Sequence, residues 1–127
     1  GAGLREAFRP LRRGGIVGFL QDLDARSEGI PVPFLGLPAS AADGIVKLYR
    51  RFGSPVVPVL YFRRSDGISH TVVIQDILSD ALDADGNPFG ADMVKSLQMC
   101  HNVLEGWVRA YPDQWLWLLD RWESTLG

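Results

Sequence analysis

The chain has 127 residues, 46% of them hydrophobic, and its thirteen Lys and Arg against fifteen Asp and Glu leave a formal net charge of −2. This length and composition predict a single globular domain, residues 1–127, with a sizeable core. The small, interleaved charge argues against nucleic acid as a partner. A single cysteine, Cys100, excludes an internal disulfide. Apolar runs are far shorter than the roughly twenty residues that cross a bilayer, so we expect a soluble chain.

The first third of the chain predicts a helix, a strand and a loop in that order. Residues 4–13 have helical apolar spacing, although Pro10 shortens or bends such a helix. Residues 16–20 form a short apolar run between glycine and acid, which is typical of a strand buried on both faces of a parallel sheet. Residues 25–38 are rich in Gly and Pro, which favours an ordered surface loop.

The next segment predicts a crossover connection. Ser40 or Asp43 can cap a helix that runs to about Phe52 and stops at Gly53, and residues 55–62 follow as a β-branched strand. A helix between two apolar strands is typical of a right-handed crossover, so the two strands are predicted to be parallel. The predicted fold class is therefore α/β, a twisted, mostly parallel sheet with flanking helices.

The second half predicts a hairpin and two helices. Residues 65–67 suit a turn, and residues 69–77 alternate well enough to pair antiparallel with the preceding strand. Residues 91–110 form a long amphipathic pattern. Residues 111–122 contain three tryptophans, with apolar positions at helical spacing that predict a docking helix: Trp115, Leu118, Leu119 and Trp122.

Two carboxylates follow the first predicted strand. Asp22 and Asp24 are two residues apart, so in an extended backbone they share one side and can address the same pocket. Equally, both acids can cap the loop by accepting hydrogen bonds from its backbone N–H groups. No further ligands at matching spacing indicate a metal, and nothing indicates a cofactor.

Three arginines follow predicted strand ends, where open α/β sheets bind ligands. Arg26, Arg63 and Arg64 carry the guanidinium fork that matches phosphate or carboxylate oxygens, although a surface position is the commoner role for any one of them. The two histidines, His70 and His101, have no carboxylate at a spacing that indicates acid–base chemistry.

Four blocks in the sequence resemble a known family: residues 14–24 (GGIVGFLQDLD), 32–39 (VPFLGLPA), 53–59 (GSPVVPV) and 111–122 (YPDQWLWLLDRW). The motifs, their order and the gaps between them are similar to those of the lipid A biosynthesis (lauroyl/myristoyl) acyltransferases of Gram-negative bacteria, within the glycerolipid acyltransferase superfamily. The resemblance implies transfer of a fatty acyl chain from acyl carrier protein to a hydroxyl of a lipid A precursor. It also implies a protein at the cytoplasmic face of the inner membrane.

That family carries its catalytic histidine in a His-x4-Asp/Glu motif upstream of the first block. Here the residue five positions after His70 is Gln75 and the one after His101 is Gly106, so neither histidine supplies the motif. We therefore expect the chain to be the C-terminal part of an acyltransferase, inactive alone, with the catalytic motif and the membrane anchor upstream. By the same resemblance, Asp22, Asp24, Arg26, Arg63 and Arg64 are the expected substrate-binding residues.

The sequence departs from the family pattern at two of these blocks. Leu23 stands between the two acids where relatives have glutamine, and Leu119-Asp120 stands where relatives have histidine and arginine. These departures leave open a second interpretation: a non-catalytic, acyltransferase-like module that binds acyl or phosphate ligands or a protein.

Overall fold

A computed structural model of the chain describes residues 2–127, with side chains from residue 4 onward. Its helices are α1 (Ala2–Glu6), α2 (Phe8–Arg12), α3 (Gly44–Phe52), α4 (Met93–Ala110) and α5 (Glu123–Leu126). Its strands are β1 (Ile30–Phe34), β2 (Leu37–Ala41), β3 (Val59–Arg63) and β4 (His70–Ile74).

The predicted α/β fold class is wrong. Across residues 2–127 the strands form two separate antiparallel pairs, β1 with β2 and β3 with β4, and no parallel sheet. The run at residues 16–20 has no regular secondary structure, and Ile16 is 94% exposed, so the predicted crossover between parallel strands is wrong as well. An apolar run gives the same pattern with or without a pairing partner, because periodicity does not encode the partner.

The Gly- and Pro-rich stretch predicted as a loop over residues 25–38 instead includes β1, the turn and the start of β2. Two residues connect the strands, Leu35 at φ 51° and Gly36 at φ 81°, and positive φ at both central residues is typical of a type I′ turn. Pro33 lies opposite Pro38, where strands do not exchange N–H bonds. Alternate residues Val32 and Phe34 are fully buried. The prolines therefore fit the hairpin, although their composition favoured a loop.

The predicted helix before Phe52 and the predicted second hairpin are confirmed in outline. Helix α3 ends at Gly53, whose φ of 63° lets its N–H reach the carbonyl of Tyr49 at 2.8 Å. Asp43 occupies the N-cap position, but its carboxylate pairs with Lys47 at 2.7 Å instead of capping the helix. β3 and β4 pair antiparallel in a register that places Val59 opposite Ile74.

Helix α4 confirms the long amphipathic prediction and organises both hydrophobic clusters. Asp92 caps it by accepting a hydrogen bond from the Lys95 N–H at 2.8 Å. Leu97, Met99 and Cys100 pack in the larger cluster, together with Val32, Ala41, Val46, Val56 and Phe89. Val108 belongs to a smaller cluster with Phe34 and Ala39, on which Leu104, Trp115 and Trp122 pack.

The predicted Trp-rich docking helix is largely wrong. Residues 112–114 form one 3-10 turn, further turns follow, and helix begins again only at Glu123. Trp115 and Trp122 contact Phe34 with ring centroids 5.4 and 5.8 Å away, whereas Leu118 is 93% exposed. The segment packs two partly buried tryptophans on one phenylalanine without placing every apolar residue on a common helical face.

Replacing the fully buried ring at the centre of the smaller cluster tests this packing. Phe34→Ala leaves a cavity among Trp115, Trp122 and His101, so we expect a loss of about 3–5 kcal/mol in the free energy of unfolding. Urea unfolding followed by tryptophan fluorescence measures it. Leu118→Ala is the control, because its side chain is exposed and the change should stay within about 0.5 kcal/mol. Equal effects of the two substitutions would contradict the packing of Trp115 and Trp122 on Phe34.

Candidate functional site

A groove of about 600 Å³ runs beside helix α4. One wall is α4 itself, a second is the strand region around β3, a third is the C-terminal segment after α4, and residues 19–22 border it. The side chains on these walls are mainly aliphatic and aromatic, as in pockets for apolar ligands. They include Phe19, Leu20, Ile45, Val56, Leu60, Phe62, Leu78, Cys100, Val103, Leu104, Trp107, Tyr111, Trp115, Leu116 and Leu119.

Two of the five predicted site residues lie on this groove. Asp22 and Arg63 are both among its lining residues, so one acidic and one basic residue border the apolar groove. Arg63 also borders a second hollow of about 580 Å³, which it shares with Arg64. Gln114 also lines both hollows. Its side-chain amide accepts a hydrogen bond from the Arg63 N–H at 3.1 Å and donates one to the Arg63 carbonyl at 3.2 Å.

The other two predicted residues lie outside both hollows. Asp24 accepts hydrogen bonds from the Arg26 N–H at 2.9 Å, the Ser124 N–H at 2.9 Å and the Ser124 hydroxyl at 2.6 Å. Burial works to raise the Asp24 pKa, but the hydroxyl and N–H donors outweigh it and hold the pKa below its usual value. Arg26 is exposed, 3.8 Å from Glu123. Asp24 therefore fits the loop-capping alternative and also fastens α5 to the turn.

A buried hydrogen-bond network centred on Arg121 lies near the Asp24 turn, and the sequence prediction of the site did not include it. The Arg121 side chain, only 1% exposed, donates from Nη1 to the Ser40 carbonyl and from Nη2 to His101 Nε2, both at 2.8 Å. His101 is fully buried, and its Nδ1 lies 2.9 Å from the Leu97 carbonyl. The Arg121 guanidinium also lies 5.9 Å from the Phe34 ring centroid, while its Nε has no partner among the described residues.

The chemistry of this network fixes the histidine's protonation. A guanidinium can only donate, so His101 Nε2 accepts, and the proton resides on Nδ1, which donates to Leu97. Burial lowers the pKa of His101, the Leu97 carbonyl works against that shift, and the positive charge of Arg121 lowers the pKa further. His101 is therefore neutral at pH 7 and serves as an acceptor for the buried arginine.

The two predicted acids compensate the charge of the same arginine. Burial lowers the pKa of Arg121, and the carboxylates of Asp24 and Asp22 work against that shift. Arg121 sits in an apolar, Trp-rich stretch, and His101 falls on the apolar face of the α4 pattern. These two positions are the sequence feature that indicates the buried pair, because a polar side chain inside an apolar stripe needs a buried partner.

Among the described residues, neither the one cysteine nor the His, Asp and Glu side chains indicate a reactive thiol or a metal site. Cys100 lines the groove, but burial raises the pKa of its thiol to about 12, so the reactive thiolate is scarce at neutral pH. Within residues 4–127 no three His, Cys, Asp or Glu side chains are grouped so that they could hold a metal ion. In residues 2–127 no helix is both long and apolar enough to span a bilayer.

Comparison with known families identifies the class of protein to which this groove belongs. Residues 1–124 match the sequence profile of the bacterial lipid A biosynthesis acyltransferases, so the chain is a member of that family. The match covers all four blocks that carry the resemblance and confirms it. No curated protein gave a match to the chain.

The neutral, buried histidine makes stability depend on pH. An unfolded histidine titrates near 6.5, and the folded His101 pKa is lower, so between the two values the unfolded state binds more protons. The contribution of His101 to the free energy of unfolding is therefore complete above about pH 6.5. Below that pH it falls by up to about 1.4 kcal/mol per pH unit. Urea unfolding at about pH 7 and pH 5 measures this loss.

Two histidine variants assign that loss. His101→Gln keeps an acceptor for Arg121 but cannot titrate, so this loss of stability between pH 7 and pH 5 should largely disappear. His70→Gln is the matched control, because His70 is exposed at the start of β4 and its replacement should leave the loss unchanged. The reverse pattern would show that His101 does not carry the effect.

Proposed function

We propose that this chain is the C-terminal part of an acyltransferase that moves a fatty acyl chain from acyl carrier protein to a hydroxyl of a lipid A precursor. Family membership supports acyl transfer, and the apolar groove beside α4 supports a hydrocarbon ligand. The donor and the acceptor come from the family resemblance. In this proposal the catalytic histidine and the inner-membrane anchor lie upstream of Gly1, and the chain alone is inactive.

The groove is the observation that carries the proposal. Its walls are lined mainly by carbon atoms of Val, Leu, Ile and aromatic side chains, which gain free energy when they exchange water for an acyl chain. Arg63 and Asp22 lie on the same groove, so the polar end of a substrate can be oriented while its hydrocarbon is buried. Arg121 and His101 act as positioning residues that keep the C-terminal wall in place.

The arginine pair supplies the second half of the proposed site. Arg63 and Arg64 are exposed side by side in the second hollow, where neither forms a salt bridge with a described residue. Guanidinium groups bind phosphate oxygens in pairs, and both the acceptor and the phosphopantetheine of the donor carry phosphate. We assign Arg63 and Arg64 to that phosphate. Asp24 and Arg26, which lie outside the groove, act in this proposal by fixing the turn after Asp22.

Binding of a fluorescent long-chain fatty acid to the 127-residue chain tests the groove directly. Val103→Trp places a bulky ring on the groove wall, and we expect at least a tenfold loss of affinity, about 1.4 kcal/mol. Val94→Trp makes the same change on the same helix at an exposed position outside the groove, so its affinity should equal that of the unchanged chain. Equal affinity in all three proteins would place the hydrocarbon elsewhere.

Under this proposal, acyl transfer is assayed with a gene product that includes the upstream His-x4-Asp/Glu motif. With acyl-carrier-protein thioester and a lipid A precursor as substrates, Arg63→Gln with Arg64→Gln should raise KM for the phosphorylated substrate about tenfold, with a smaller change in kcat. If the acceptor supplies the phosphate, the double variant and the unchanged enzyme should have similar KM values for a dephosphorylated acceptor. Lys95→Gln is the control, because Lys95 pairs with Asp85 on the surface away from both hollows.

The competing function is a non-catalytic binding module. Leu23 within the acidic block and the lack of a His-x4-Asp/Glu motif in this sequence favour it. An upstream in-frame motif, and loss of turnover when its histidine is replaced, support the enzyme. Fatty-acid binding in the groove without acyl transfer by the longer gene product supports the module.

A further inference from the structure

The positive charge of this nearly neutral chain is concentrated on one part of the molecule. Residues 1–13 and 44–52 hold seven of its thirteen Lys and Arg but only one of its fifteen Asp and Glu. The remaining residues are correspondingly acidic. Such an asymmetry produces a directed field that the net charge of −2 conceals.

These two segments are adjacent in the structure, because α2 packs on α3. Phe8 and Phe52 meet edge to face with ring centroids 5.3 Å apart, and the Arg51 guanidinium lies 4.6 Å from the Phe8 centroid. The cations of both segments therefore lie on elements that pack together. We call this group of side chains the basic face: Arg5, Arg9, Arg12, Arg13, Arg50 and Arg51, all exposed.

The charges of the basic face are not neutralised locally. None of its arginines forms a salt bridge within the described part of the chain, and Arg50 instead donates to the carbonyls of Gly90 and Ala91. Lys47, which lies beside them on α3, is paired with Asp43. Guanidinium groups without carboxylate partners are available to an external anion.

An apolar residue stands beside these charges. The backbone turns back after α2, where the Gly14 N–H donates to Leu11 and the Gly15 N–H donates to Pro10, and Ile16 follows with 94% of its side chain exposed. Exposed arginines next to an exposed aliphatic side chain match a membrane surface, where the charges meet lipid phosphates and the apolar group enters the boundary of the acyl region. A nucleic-acid backbone would use the arginines but not the isoleucine.

We infer that the basic face docks on a bilayer surface that contains anionic phospholipid. This contact is separate from the proposed upstream membrane anchor and from the acyl groove, and it does not depend on the chain being an enzyme. It would hold the chain at the surface where hydrophobic acyl substrates reside.

Cosedimentation of the 127-residue chain with vesicles tests this inference. We expect binding to vesicles of phosphatidylcholine with phosphatidylglycerol, little binding to phosphatidylcholine alone, and release at high salt. Arg12→Gln with Arg13→Gln should weaken binding about thirtyfold, at roughly one kcal/mol per cation. Lys95→Gln with Arg109→Gln removes the same charge from two side chains that are already paired with Asp85 and Glu105, and it should change binding far less.

A second pair of variants tests the apolar component. Ile16→Ser should weaken binding to the anionic vesicles several-fold, whereas Ile68→Ser, at an 85% exposed position in the β3–β4 turn, should not. Circular dichroism checks that all variants remain folded. The inference is overturned by failure to bind anionic vesicles, by equal loss in both double variants, or by equal binding to neutral vesicles. A chain that binds only acidic protein or nucleic acid would also overturn it.

Discussion

One buried guanidinium holds the C-terminal segment of this chain against β2 and α4. Arg121 reaches the Ser40 carbonyl on β2 with one nitrogen and His101 on α4 with another, so three distant parts of the sequence meet at a single side chain. Ser124 adds hydrogen bonds to Asp24 on the exposed side of the same junction. The C-terminal wall of the groove depends on this junction, because Trp115, Leu116 and Leu119 have no regular helix of their own to keep them in place.

Burying the Arg121 charge is unfavourable by itself and becomes favourable only when all of its partners are present. A buried charge loses its hydration, and the molecule offsets that loss with two hydrogen bonds, the Phe34 ring and the nearby field of Asp22 and Asp24. The histidine contributes because it is neutral and presents a lone pair; as an imidazolium it would repel the arginine. Loss of any one partner leaves the others with an unsatisfied buried group, which couples the acidic turn to the C-terminal segment.

The surface divides the chemistry of the molecule into separate regions. An apolar groove with Asp22 and Arg63 on its lining lies beside α4, two exposed arginines share an adjoining hollow, and a further group of arginines covers α1 to α3. We propose hydrocarbon as the ligand of the first region, phosphate as that of the second and a charged lipid surface as the partner of the third. The groove is linked to the buried junction through Asp22, whose carboxylate also acts on the charge of Arg121.

By itself, the sequence determined the features that rest on neighbouring residues. These are the helix that ends at Gly53, the long helix over residues 93–110, the second hairpin and the ordered blocks that assign the family. Each follows from helix capping, hydrophobic periodicity or a short sequence motif, all of which involve residues a few positions apart. The assignment of Asp22 and Arg63 to substrate binding stays a prediction, and the parallel sheet edge on which it rested is not part of the fold.

Only the tertiary structure decided which strands pair and which polar groups are buried together. Residues 16–20 had the composition of a buried strand but lack a pairing strand, and the proline-rich residues 30–41 form a hairpin because their alternate side chains are covered by α4 and the C-terminal segment. Arg121 contacts a carbonyl 81 positions away, and no local pattern specifies that distance. Strand pairing and burial are relations between remote residues, so they are fixed by packing and not by the propensities of either partner.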